Sequence, residues 1–116
     1  MKENIVKLKS FEFALRIVKL YKHLIEVKKE FVLSRQLLRS GTAVGAMIRE
    51  SEHAESKPDF IHKLSMALKE ANETQYWIEL LYKSNYIDEK SFQSIQIDIT
   101  ELLKLLTSII KTSKNK

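Results

Sequence analysis

Residues 89–111 read EKSFQSIQIDITELLKLLTSIIK, and the spacing of their apolar positions decides the fold class. Phe92, Ile95, Ile99, Leu102, Leu106 and Ile109 recur at alternating steps of three and four. That is the repeat of an α-helix that turns one stripe away from water. Leu103, Leu105 and Ile110 widen the stripe. Asp88 stands just before it, and its carboxylate suits an N-cap. The pattern predicts a helix over 89–111, with residues 112–116 fraying.

Working back towards the N-terminus, Asn85-Tyr86-Ile87 reads as a turn. Before it, Phe60, Leu64, Ala67, Ala71, Ile78 and Leu81 predict a core stripe on a helix over 58–84. Ser56-Lys57-Pro58-Asp59 marks its start. Ser56 can cap, Pro58 suits the first turn, and Asp59 suits the positive end of the helix dipole. A second helix is predicted over 31–55, with Leu33, Leu37, Val44 and Ile48 as its core. Gly41 and Gly45 lie one turn apart inside it. Each costs about 1 kcal/mol relative to Ala, so the pair points to a close helix approach. Residues 28–30 form a polar loop.

The first helix is predicted over 10–27, with Ser10 as N-cap. It carries two apolar stripes. Phe11, Ala14, Val18, Tyr21 and Ile25 make one, read here as core; Phe13, Ile17, Leu20 and Leu24 make the other. Together they are wider than a surface helix needs. The three connections are short, so neighbouring helices run antiparallel. The expected fold is all-α, an antiparallel up-down-up-down four-helix bundle formed by a single domain over 1–116. Phe13, Ile17, Leu20 and Leu24, with Leu103, Leu105 and Ile110, are left as oligomer-interface candidates, because leftover apolar surface marks an interface.

The 116 residues are 44% apolar and 30% charged, with two Gly and one Pro. Such a composition suits long helices in an ordinary globular domain. There is no Cys, which excludes disulfides, thiolate metal sites and Cys nucleophiles. The first ten residues lack the apolar stretch of a signal peptide, and no apolar run is long enough to span a membrane. A cytoplasmic protein with no membrane partner is expected. The net charge of +5 is uneven, with eight Lys/Arg against four acids in residues 1–30. Such an excess suits nucleic acid without requiring it. Candidate phosphate contacts are Arg16, Lys19 and Lys22 on the first helix and Arg35, Arg39 and Arg49 on the second. Antiparallel pairing of the second and third helices sets Arg39 opposite Glu73, an inter-helix ion pair, and Arg35 near Trp77.

Catalytic constellations are missing. There is no Gly-rich phosphate loop and no nucleophile elbow. A di-metal bundle site needs Glu-x-x-His on two helices and a Glu from each of the others. Glu50-x-x-His53 has that spacing and Asp59-x-x-His62 is a loose second, but both flank a turn instead of facing mid-bundle. No catalytic residue, metal or cofactor is expected.

The stretch Gln36-Leu37-Leu38-Arg39-Ser40-Gly41-Thr42-Ala43-Val44-Gly45-Ala46-Met47-Ile48-Arg49-Glu50 resembles the second-helix signature of the four-helix-bundle proteins encoded in 23S rRNA intervening sequences. So do Ser56-x-x-Asp59-Phe60-Ile61-x-Lys63 and the run from Ala67 through Lys69-Glu70, Glu73-Thr74 and Tyr76-Trp77. The resemblance covers nearly the whole chain. It implies a left-handed bundle, assembly as a homopentamer, and a role without known enzymatic activity. It also implies kinship with the accessory variability determinant of diversity-generating retroelements, whose partners are a reverse transcriptase and its RNA template. The expected function is therefore a non-enzymatic homo-oligomeric scaffold that binds RNA, DNA or a nucleic-acid enzyme. The competing reading is a protein-interaction module with no nucleic-acid role.

Overall fold

The structure, a computed structural model, describes residues 2–115. Four helices follow one another: α1 Lys2–Glu26, α2 Leu33–Ser51, α3 Lys57–Lys83 and α4 Glu89–Lys114. Each packs against its two neighbours in a closed square: α1 on α2, α2 on α3, α3 on α4, and α4 back on α1. The ion pairs show the directions. Lys7 meets Glu52, Lys63 meets Glu50, and Lys9 and Arg16 meet Glu101 and Asp98; with Tyr82 of α3 stacked on Phe92 of α4, chain-adjacent helices and the closing pair are antiparallel. The bundle is a rod of 47 × 22 × 19 Å.

Val6, Phe13, Ile17 and Leu24 of α1 meet Leu37, Val44 and Ile48 of α2 in the core. Leu64, Ala67, Ala71, Ile78 and Leu81 of α3 and Ile95, Ile99, Leu102, Leu106 and Ile109 of α4 complete it. Ser40 and Thr74 are buried too, with their hydroxyls 3.0 Å apart across the α2–α3 seam.

Two helix starts follow their expected chemistry. The Ser56 hydroxyl accepts from the Asp59 N–H at 3.2 Å, with Pro58 in the first turn. The Asp88 carboxylate accepts from the Ser91 N–H at 2.7 Å. That bond holds the Asp88 carboxyl below its ordinary value.

Four boundaries are corrected. α1 begins well before residue 10, because Val6 continues the buried register of Phe13, Ile17 and Leu24. Ser10 is therefore a mid-helix residue, fully buried, and its hydroxyl donates back to the Lys7 carbonyl at 3.0 Å. α2 starts at Leu33 and ends at Ser51, shorter at both ends than the predicted 31–55. α4 runs on to Lys114, past the predicted end at Lys111, and Ile109 and Ile110 are still buried near its end.

The start of α2 rests on a residue outside it. Glu30 lies four residues before Ser34, and its carboxylate accepts from the N–H groups of Val32, Leu33 and Ser34 at 3.1, 3.1 and 2.6 Å. The Ser34 hydroxyl donates back to the Glu30 carbonyl at 2.7 Å. Burial alone would raise the Glu30 carboxyl, but these hydrogen bonds outweigh it and hold it below the usual carboxylate range. α1 ends just before this cap. The Glu30 N–H returns to the Leu24 carbonyl at 3.0 Å, and Lys29 takes the left-handed conformation with φ 55°.

The two stripes of α1 are reversed relative to the sequence reading. Phe13, Ile17 and Leu24 are fully buried, and Leu20 packs against the core. Phe11 is exposed, and Ala14, Val18, Tyr21 and Ile25 are half-buried. The reason lies on α2. A Cβ on Gly41 would come within 2.8 Å of Ile17, and one on Gly45 would lie 3.4 Å from the Ser10 carbonyl oxygen. The two glycines admit Ile17 and Ser10, and that contact sets the rotation of α1. On α4, Ile110 is buried, while Leu103 and Leu105 are half-buried against the core edge.

Candidate interaction surfaces

With Phe13, Ile17 and Leu24 turned inward, the free face of α1 carries Leu8, Phe11, Leu15 and Val18 at steps of three, four and three. Leu8 is 60% exposed, Phe11 46% and Leu15 56%. The spacing is that of a helix seam, and here it lies on the solvent side. Phe11 is partly covered by the Arg49 guanidinium, 5.0 Å from its ring centre, a cation–π contact across the α1–α2 seam. Leu8 and Leu15 were not singled out from the sequence. Their signal was available, since they alternate with Phe11 and Val18, but Leu8 lay in the polar segment read as preceding the helix.

The six basic candidates divide into two groups. Arg16 is held by Asp98 and by the Ser94 side chain, at 2.9 Å, on the α1–α4 seam. Arg39 bridges Glu70, at 3.2 Å, and Glu73. Glu73 also accepts from the Trp77 indole N–H at 2.9 Å, so arginine, carboxylate and indole form one network. Arg49 lies over Phe11. Lys19, Lys22 and Arg35 are exposed and make no ion pair among the described residues. Trp77, the expected neighbour of Arg35, stands edge-on to Tyr76, with ring centres 5.0 Å apart.

The residues considered for a metal centre have other work. Glu50 pairs with Lys63, and the Asp59 carboxylate accepts from the Glu55 N–H at 3.1 Å. Among the described residues no three His, Cys, Asp or Glu side chains converge where an ion would sit. The buried Ser40 and Thr74 hydroxyls donate to helix carbonyls, and among the described residues neither is hydrogen-bonded to a His or carboxylate side chain that could act as base. No described helix is long and apolar enough to cross a membrane.

Fold and surface together define a class: an all-α four-helix bundle with caps and ion pairs along its seams and an exposed apolar stripe on α1. The chain belongs to the 23S rRNA-intervening sequence protein family, whose model matches residues 2–108. It is similar to a crystal structure from Bacteroides thetaiotaomicron, described as a protein of unknown function from the S23 ribosomal protein family. The two are 61% identical with a TM-score of 0.95, over 96% of this chain and 99% of that one. No curated protein matches the chain.

Proposed function

We propose that the protein is a non-enzymatic helical scaffold that works as an assembly of identical subunits. The observation that carries this reading is the outward stripe of Leu8, Phe11 and Leu15, three large apolar side chains in seam spacing on one helix. A second copy of the chain is the occupant we assign to it. A closed ring, a pentamer by the family resemblance, would cover the stripe on every subunit.

The charges favour the protein-interaction form of this scaffold. Arg16 and Arg39, two of the candidate phosphate contacts, are already bound to carboxylates within the subunit. A nucleic-acid role, including work beside a reverse transcriptase, would rest on Lys19, Lys22 and Arg35, repeated around the ring. Such binding would weaken steeply with salt.

Light scattering tests both parts. The expected mass is a multiple of 13.6 kDa, and Leu8→Ser with Leu15→Ser should reduce it to that of one subunit with helix content intact. A wild-type monomer at micromolar concentration would overturn the scaffold reading. Added RNA that leaves the mass unchanged at low salt would remove the nucleic-acid role.

A further inference from the structure

The α1–α2 connection is built unlike the other two. Val27 is 63% exposed, Phe31 54% and Val32 73%. The other connections expose no large apolar side chain among the described residues. Lys28 and Lys29 lie between these three, both exposed. The one acid of the segment, Glu30, is turned inward and occupied by three backbone N–H groups. What faces water is therefore apolar tips and cations on a loop already held in shape. The opposite end of the rod differs: the α2–α3 turn exposes Glu52, His53 and Glu55.

We propose that this loop is a shallow docking point for an anionic lipid surface. Val27, Phe31 and Val32 enter the boundary between headgroups and acyl chains, and Lys28 and Lys29 meet the lipid phosphates. The lack of a membrane-crossing helix bears on spanning a bilayer, not on resting against one. Exposed Asp88 and Glu89 lie at the same end beside exposed Lys83 and Lys90, with Asp88 close enough to feel both Lys28 and Lys90. A single-stranded nucleic acid offers the lysines the same phosphates and could stack on Phe31. It has no use for Val27 and Val32, which lack a ring. A bilayer takes up all three apolar residues. The Glu30 cap limits the ordering cost, because the loop is fixed before it docks.

The test sediments the full chain with phosphatidylcholine vesicles, with and without phosphatidylserine. Binding is expected only with phosphatidylserine, and it should weaken as salt rises. Phe31→Ser with Val32→Ser should cut it about tenfold. Lys28→Ala with Lys29→Ala should cut it by about tenfold or more. Ile97→Ser, exposed on α4 away from the loop, should leave it unchanged. No sedimentation at low salt overturns the proposal, as does equal binding by the Phe31/Val32 variant. A fall in solution mass caused by the loop changes, with vesicle binding unaltered, would make the patch a subunit contact. Loss of poly-uridine binding alone would make it a nucleic-acid site. The scaffold reading is tested separately, since Leu8 and Leu15 lie outside this loop.

Discussion

α1 has two apolar faces, and only one of them is needed by the fold. The inner face, Val6, Phe13, Ile17 and Leu24, is almost completely removed from water. The outer face, Leu8, Phe11 and Leu15, is about half exposed. In composition the two are nearly interchangeable. What separates them is the surface each meets: the inner face has the paired glycines of α2 to pack into, while the outer face has a lone guanidinium over one ring. Apolar periodicity thus marks a face as apolar but does not say what covers it, and one helix can carry a buried stripe and an exposed stripe side by side.

Truncating one residue on each face separates their roles most directly. Ile17→Ala removes a fully buried side chain and is expected to cost about 2–5 kcal/mol in urea unfolding. Leu15→Ala should change the stability of a single subunit by no more than about 0.5 kcal/mol. Equal losses would mean that the two faces are equally part of the subunit core.

The glycines sharpen the same contrast at smaller scale. Gly41→Ala would place a Cβ 2.8 Å from the stiff branch of Ile17, and overpacking of about 1–3 kcal/mol should outweigh the gain in helix propensity. Gly45→Ala meets only ordinary contact at 3.4 Å, so the propensity gain of up to about 1 kcal/mol should appear as added stability. Thermal unfolding of the two variants should therefore shift in opposite directions.

A modest effect is expected at Glu30, where α1 hands over to α2. Its carboxyl is depressed in the folded state, so its contribution is fully present above the unfolded value of about 4.3. It is lost as pH falls through the folded value. Glu30→Gln should cost about 1 kcal/mol near neutral pH, and the gap from wild type should shrink on acidification. A gap that stays constant with pH would show that charge plays no part in the cap.

Much of the fold was legible in the chain. The heptads of α4, the Ser56-Pro58-Asp59 start of α3 and the Asp88 cap state their structures locally, because each depends on neighbours within one or two turns. The start of α1 was not legible, because the polar segment around Val6 becomes helical only when Val6 has a core to enter. Nor was the Glu30 cap, which acts from four residues before Ser34 and needs the turn at Lys29 to bring it round. Among the site residues, the Arg39–Glu73 contact follows from antiparallel register alone. The fate of Phe13 against Phe11 does not, since both lie in apolar rows of the same helix.

The amino-acid order by itself determined that there are four helices, where two of them, α3 and α4, begin, and that neighbours run antiparallel, since hydrogen bonding within a turn and short connections require nothing from elsewhere in the molecule. Tertiary structure alone decided which face of α1 is core. That choice is made by the fit of Ile17 and Ser10 into the glycine pair of α2, a steric match between residues far apart in the chain, which no local periodicity can express.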